Sequence, residues 1–82
     1  MHYQTPALTS ILEEIGHKLY DLRQLKKEKI TSVAAGIGFS HAVISKIENG
    51  RYLPLSIELL GRLADYYNIP LEELLTIKNK KL

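Results

Sequence analysis

The chain has 82 residues, with 11 Lys and Arg, 9 Asp and Glu, 3 His and no Cys, and its formal net charge is +2 at pH 7. A chain of this length forms one small domain, and without Cys it has no disulfide, thiolate metal site or cysteine nucleophile. No apolar run approaches the ~20 residues that span a bilayer, and residues 1–6 do not resemble a signal peptide. We therefore expect a cytoplasmic globular protein without a membrane partner.

The first predicted helix begins near residue 10. Ser10 and Glu13 have the spacing of a capping box, in which each side chain satisfies a free backbone amide of the other residue. The apolar residues that follow at helical spacing are Ile11, Leu12, Ile15, Leu19 and Leu22. The pattern predicts a helix from Ile11 to Lys27, preceded by a loose arm over residues 1–9.

A short second helix is predicted over residues 33–37. Thr31 or Ser32 can cap its N-terminus through a side-chain hydroxyl. Gly38 follows and can take the positive φ that a sharp turn requires. This segment therefore predicts about one helical turn and a change of direction.

A third helix is predicted from the cap Ser40 to Asn49, with Gly50 as its C-terminal stop. Its inward residues are Ile44, Ile47 and, in part, Val43, and its outward residues are His41, Ala42, Ser45, Lys46 and Asn49. A short helix, a tight turn with Gly and a second capped helix are the sequence form of a helix-turn-helix. A helix fits the major groove of B-DNA, where every base pair presents a distinct pattern of donors and acceptors.

Two further helices complete the predicted fold. Ser56 can cap a fourth helix, whose inner residues are Ile57, Leu59, Leu60, Leu63, Ala64 and Tyr67. Pro70 marks the first turn of a fifth helix over residues 71–75. Alternating apolar and polar runs are absent from the sequence, so strands are not predicted. The sequence predicts an all-α, compact five-helix bundle over residues 10–76, followed by a basic C-terminal tail over residues 77–82.

Residues 39–50 resemble the recognition-helix segment of the phage repressor/Cro-like, or XRE-type, helix-turn-helix family. That family commonly has Ile-Ser-x-Ile-Glu-x-Gly and a Pro soon after, and this chain has Ile44-Ser45-Lys46-Ile47-Glu48-Asn49-Gly50 and then Pro54. Further matches are Ile15-Gly16 and Leu22-Arg23 in helix 1, residues 33–38 in helix 2, and residues 59–75 in the closing helices. The resemblance covers residues 11–75 and implies a lambda-repressor-like DNA-binding domain.

The resemblance also implies residue roles. The base-reading positions are His41, Ala42 and Lys46, and the DNA-backbone positions are Thr31, Ser32, Ser40, Ser45, Asn49 and Arg51. Lys46 can donate to guanine O6 and N7, and the methyl group of Ala42 can contact a thymine methyl. Arg23 and Glu48 match a pair that the family uses as a structural salt bridge between helices 1 and 3.

The start of helix 2 departs from the family pattern. The family often has Ser or Thr followed by Gln there, whereas this chain has Lys29-Ile30. We therefore expect helix 2 to begin at Thr31. The chain also has one extra residue within 54–56, before helix 4.

The sequence does not favour an enzyme, a metal site or a cofactor site. Glu13, His17 and Asp21 share one helix face, but a single His between exposed carboxylates is typical of a surface ion pair. Gly36-x-Gly38 lacks the third Gly and the preceding strand of a dinucleotide site. The sequence contains no motif that would place a catalytic nucleophile beside a general base.

The function that these features predict is a sequence-specific transcription regulator, a repressor that binds double-stranded DNA as a homodimer. One alternative is a DNA-binding antitoxin of a toxin–antitoxin pair, and another is an interaction module that kept the fold without DNA binding. A toxin or a polymerase is therefore a further possible protein partner. A net charge of +2 does not decide among the three functions. Apolar residues that the predicted core does not need are candidates for the dimer surface. They are Leu74, Leu75 and Ile77, with Tyr66 or the arm as further candidates.

Overall fold

A computed structural model describes residues 5–75 of the chain, and this part is entirely helical apart from its connections. The helices in chain order are α1 (Pro6–Leu25), α2 (Ile30–Ile37), α3 (His41–Glu48), α4 (Ile57–Tyr67) and α5 (Leu71–Leu75). The predicted all-α architecture with five helices is confirmed. The division into an arm, a domain and a tail stays a prediction, and the tail over residues 77–82 lies outside the described residues.

The predicted start of α1 at the Ser10 capping box is wrong. The N-cap is Thr5, whose hydroxyl accepts the backbone amide of Leu8 at 3.2 Å. Pro6 follows at the first helical position, where its fixed φ suits the helix and its missing N–H leaves no bond unmade. These two signals start the helix earlier, so Ser10 lies inside it and residues 6–9 are helical.

The C-terminal end of α1 also differs from the prediction, because the helix ends at Leu25 and not at Lys27. Lys27 has a φ of 55°, in the left-handed region. The backbone amide of Glu28 donates to the carbonyl of Arg23 at 3.0 Å, which closes this turn. The chain therefore leaves α1 sharply and enters α2 after a short connection.

The start of α2 corrects a second prediction. Lys29 is the N-cap and makes no side-chain capping bond within the described chain, and Ile30 is the first helical residue. Thr31 and Ser32 are therefore not caps, because both lie in the first turn of α2. At the other end, Gly38 has a φ of 80° and forms the predicted left-handed cap.

The connection between α2 and α3 has the form that a helix-turn-helix requires. The two helices meet at 110° across residues 38–40. The Ser40 hydroxyl accepts the amide of Val43 at 3.2 Å, so the predicted cap of α3 is confirmed. Gly50 has a φ of 70° and forms the predicted stop, although the helix ends at Glu48, one residue before the predicted Asn49.

One apolar core joins all five helices, with α1 packed on α3 and α5, and α4 packed on α2 and α5. Its buried members are Ile15, Leu19, Val33, Ala34, Ile37, Ile44, Ile47, Leu59, Leu60, Leu63, Ala64, Tyr67 and Leu74. Two predicted inward residues are instead exposed, Ile11 by 42% and Ile57 by 62%. Ile11 lies at the edge of the row of apolar residues on α1. Ile57 is the first residue of α4, before the part of the helix that reaches the core.

Gly16 brings the backbones of α1 and α3 into close contact. A Cβ atom at this position would overlap the carbonyl oxygen of Ile47 and lie 2.7 Å from the carbonyl oxygen of Glu48. Both obstacles are backbone atoms, which no change of side-chain rotamer can remove. Gly16 therefore fixes how closely α3 lies against α1.

None of the described helices is by itself long and apolar enough to cross a membrane, and only α2 and α3 taken together, with a bend of 110° between them, have the length and composition to do so.

Replacing Gly16 with Ala should lower the free energy of unfolding by about 1–3 kcal/mol or more, because the added methyl group forces the two helices apart. The matched control is Gly61→Ala in α4, where an added Cβ meets no atom within 4 Å. This change should raise the free energy of unfolding by about 0.5–1 kcal/mol through helix propensity. Urea denaturation measures both. Equal effects of the two substitutions would contradict the close contact.

Candidate nucleic-acid interface

The outward face of α3 presents most of the residues that the sequence singles out. His41, Ala42, Lys46 and Asn49 are exposed, and Ser45 is half-buried. On the opposite face, Ile44 and Ile47 are buried, each with 2% exposure. The helix is thus anchored on one side and leaves small and polar side chains accessible on the other.

A shallow depression at the C-terminal half of α3 brings together Ser45, Lys46, Asn49 and Arg51. The side-chain amide of Asn49 donates to the carbonyl of Ser45 at 2.8 Å, and the backbone amide of Arg51 donates to the carbonyl of Lys46 at 2.9 Å. These bonds hold the end of the helix and the start of the loop in one arrangement. The depression therefore carries two cations beside amide and hydroxyl groups, which suits a phosphate-bearing partner.

The first turn of α2 exposes Thr31 and Ser32. Because Lys29 provides no side-chain cap, the backbone amides of Ile30 and Thr31 at this helix start are not bonded by a capping side chain. The amide groups and the positive end of the helix dipole favour an anion there.

A buried ion pair fixes α3 to α1. Arg23 Nε donates to Glu48 Oε2 at 2.8 Å, and Arg23 Nη2 donates to Glu48 Oε1 at 3.0 Å. The two side chains are only 11% and 5% exposed. The hydrogen bond to Glu48 raises the pKa of Arg23 above its ordinary value, and burial opposes this only in part. Arg23 Nη1 also donates to the carbonyl of Glu28 at 3.0 Å, so one guanidinium joins α1, α3 and the connection before α2.

Arg62 of α4 holds the turn between α2 and α3. Its Nη1 donates to the carbonyl of Ile37 at 3.2 Å, at the end of α2. Its Cζ lies 5.9 Å from the centroid of the Phe39 ring, and its Nη2 donates to Glu58 at 3.2 Å. The sequence gives no signal for this role, because the residues involved are 25 positions apart and form no motif.

Tyr66 of α4 is a second contact that sequence reasoning missed. Its ring lies against Gly36, where any Cβ would overlap it, and its hydroxyl donates to Glu28 Oε1 at 2.8 Å. This hydrogen bond raises the pKa of Tyr66. The Gly within α2 could have indicated a close neighbour, although not which residue supplies it.

The comparisons with known proteins agree with this geometry. A family model described as "Helix-turn-helix" matches residues 19–74, more than half of the chain. The chain belongs to the phage repressor/Cro-like helix-turn-helix family. Over 62 residues it is 40% identical to the "ImmF control region 10 kDa protein" of Bacillus phage phi105, covering 76% of this chain and 68% of that protein. No solved structure matches.

As a member of this family, the protein is a DNA-binding transcription regulator whose partner is double-stranded DNA. The family and the phage relative indicate a regulator and not an enzyme. The outward face of α3 and the start of α2 are the candidate DNA-binding surface of this family member.

The acidic and histidine residues of α1 form no metal-binding group within residues 5–75. His17 Nε2 lies 3.5 Å from Asp21 Oδ2, and both side chains are largely exposed. Glu13 instead packs against Gly50, where a Cβ would lie 2.9 Å from Glu13 Cγ. Glu13 therefore lies apart from the His17–Asp21 pair on this face of α1.

A double-mutant cycle tests the ion pair. Glu48→Leu and Arg23→Met should each lower the free energy of unfolding by about 3–5 kcal/mol, because each leaves the other buried charge without its partner. The double variant Arg23→Met/Glu48→Leu should lose less than the sum of its single changes, since neither charge is then stranded. Urea denaturation gives the four values. Additive losses would show that the pair does not couple α1 to α3.

Proposed function

We propose that this protein is a sequence-specific repressor that inserts α3 into the major groove of DNA. The observation that carries the proposal is the division of α3 into a buried face and an accessible face. The buried ion pair and the Gly16 contact hold this helix against α1. A helix so fixed presents its side chains to base edges in one orientation, as direct readout requires.

Three residues of α3 are proposed to read bases. Lys46 donates to guanine O6 and N7, Ala42 contacts a thymine methyl, and His41 donates or accepts according to its tautomer. All three are exposed on the helix face that points away from the core. Position 46 lies about one turn beyond position 42, so the two side chains share one face of the helix.

The DNA backbone is proposed to be held on both sides of these residues. At the end of α3, Ser45, Asn49 and Arg51 share one depression with Lys46. At the start of α2 and α3, the contributing residues are Thr31, Ser32 and Ser40. Ser40 already accepts the amide of Val43 at 3.2 Å, and its hydroxyl can still donate to a phosphate.

Repression is proposed to work by occupancy. The phage phi105 relative is named as a protein of a control region, which is consistent with a role in gene regulation for this chain. A protein bound over a promoter excludes polymerase without any catalytic step. Binding to such DNA would place the protein in the cytoplasm.

A homodimer is proposed because one such module reads few base pairs. Two copies related by a two-fold axis read half-sites about 10–10.5 base pairs apart, or multiples of this spacing. The predicted dimer surface needs two corrections: Leu74 is only 1% exposed and belongs to the core, and Tyr66 is half-buried, with its ring against Gly36 and its hydroxyl bound to Glu28. Leu75 is 40% exposed and remains a candidate, and Ile77 lies outside the described residues.

Selection from a pool of random duplexes at two salt concentrations tests the proposed function. The wild-type protein should enrich a palindrome, and its affinity should fall steeply as salt rises. Lys46→Ala should lose about 1–3 kcal/mol of discrimination at one position in each half-site. The charge-matched control is Lys18→Ala, because Lys18 lies away from α3 and its Nζ donates to the carbonyl of Glu73 in α5. Binding without enrichment would contradict sequence-specific recognition.

Leu75→Asp tests the proposed dimer surface. If Leu75 lies between two copies, the added carboxylates should weaken the dimer and lower the mass measured by sedimentation equilibrium. Leu25→Asp is a matched control on α1, because Leu25 is 77% exposed and lies outside the proposed surface. A Leu75→Asp protein with the mass of the unchanged dimer would exclude this surface.

A further inference from the structure

A second recess lies where α1 crosses α3, and the proposed function leaves most of it unused. His17 and Tyr20 of α1 line it, together with Ser45 and Asn49 of α3 and Ile30 at the start of α2. Its volume is about 360 Å³, and it opens to solvent. The recess therefore gathers hydroxyl, imidazole and amide groups from two helices at one accessible point.

The recess continues the surface proposed to contact DNA. Ser45 and Asn49 line both this recess and the depression that contains Lys46 and Arg51. The accessible surface thus passes from the recognition helix onto α1. Because a helix in the major groove is bordered by the sugar–phosphate backbone, the next group that α1 meets is a phosphodiester.

The close crossing of α1 and α3 explains why α1 can reach that far. At Gly16 the two backbones are nearly in contact, so the α1 residues that follow lie close to the side of α3. His17 is the next residue, and Tyr20 is about one turn further along the same helix. A larger residue at position 16 would move both side chains away from the α3 surface.

Tyr20 is held in place by the ion pair that fixes α3. Arg23 Cζ lies 5.5 Å from the centroid of the Tyr20 ring, and the same guanidinium is bound in two places by Glu48. The Tyr20 side chain is nevertheless 43% exposed. A phenol whose ring is fixed and accessible loses little rotamer entropy when its hydroxyl makes a further bond.

Arg23 and Glu48 also line the recess, and the carboxylate of Glu48 is paired there with the guanidinium of Arg23. Asp21 does not line the recess. The groups that remain available as donors are the Tyr20 hydroxyl, the Ser45 hydroxyl and the second amide hydrogen of Asn49. This set matches the neutral donors that hold DNA phosphates in other complexes.

We propose that this recess binds one phosphate of the DNA strand that borders the major groove, with the Tyr20 hydroxyl as a donor. The proposal rests on the proposed function, since it requires α3 to lie in that groove. Tyr20 positions the protein on the duplex and does not read a base. Its loss therefore lowers affinity for every sequence by a similar factor and leaves the preferred sequence unchanged.

Tyr20→Phe tests this role, because it keeps the ring beside Arg23 and removes only the hydroxyl. Affinity for the selected duplex should fall about ten- to a hundredfold, as expected for one hydrogen bond to a charged group. Ethylation interference on that duplex should show one phosphate in each half-site at which ethylation weakens the wild-type protein but no longer weakens Tyr20→Phe. The matched control is Tyr52→Phe, which removes a hydroxyl from a residue that does not line the recess and should bind with the wild-type ethylation pattern.

Two results would overturn the proposal while the proposed function stands: wild-type affinity of Tyr20→Phe, or weaker binding with an unchanged ethylation pattern. A wild-type protein that enriches no duplex would overturn the proposed function itself, and the Tyr20 contact with it. Urea denaturation of both Phe variants verifies that any loss of affinity is not a loss of folded protein.

Discussion

The bidentate pair between Arg23 and Glu48 is the interaction on which the rest of the structure depends. Both side chains are almost fully buried, so neither charge can be removed without stranding the other. The same guanidinium holds the carbonyl of Glu28 before α2 and lies beside the ring of Tyr20. One side chain therefore connects α1 to α3, to the entry of α2 and to the edge of the candidate DNA-binding surface.

The angle within the helix-turn-helix is set largely by residues outside it. Arg62 satisfies the carbonyl at the end of α2 and covers the Phe39 ring, while Tyr66 packs on Gly36 and binds Glu28. Gly16 permits α1 to approach α3 from the other side. With α2 and α3 held from two directions, the accessible face of α3 keeps one orientation, which is what a helix needs to enter a groove whose width barely exceeds its own.

The features predicted correctly from the sequence are the helix caps and turns that depend only on neighbouring residues. The hydroxyl caps at Ser40 and Ser56 and the left-handed Gly38 were predicted because each acts within a few residues of chain. The start of α1 was predicted wrongly. The sequence offers two N-terminal signals, Thr5 with Pro6 and the Ser10 capping box, and only packing decides which of them begins the helix. Arg62 and Tyr66 were missed because their partners lie 25 and 38 positions away. Among the residues proposed to contact DNA, those on α3 were predicted from the helical periodicity and the family resemblance. Tyr20 could be identified only from the structure, which shows where α1 crosses α3.

We propose above all that α3, presented by these contacts, is the surface that meets DNA. Titrating the isotope-labelled protein with its selected duplex and following backbone amide resonances by NMR tests this directly. The largest shifts should fall on residues 40–51, on the first turn of α2, and on the neighbourhood of residues 17–20. Shifts concentrated on α4 and α5, with α3 unchanged, would contradict the account.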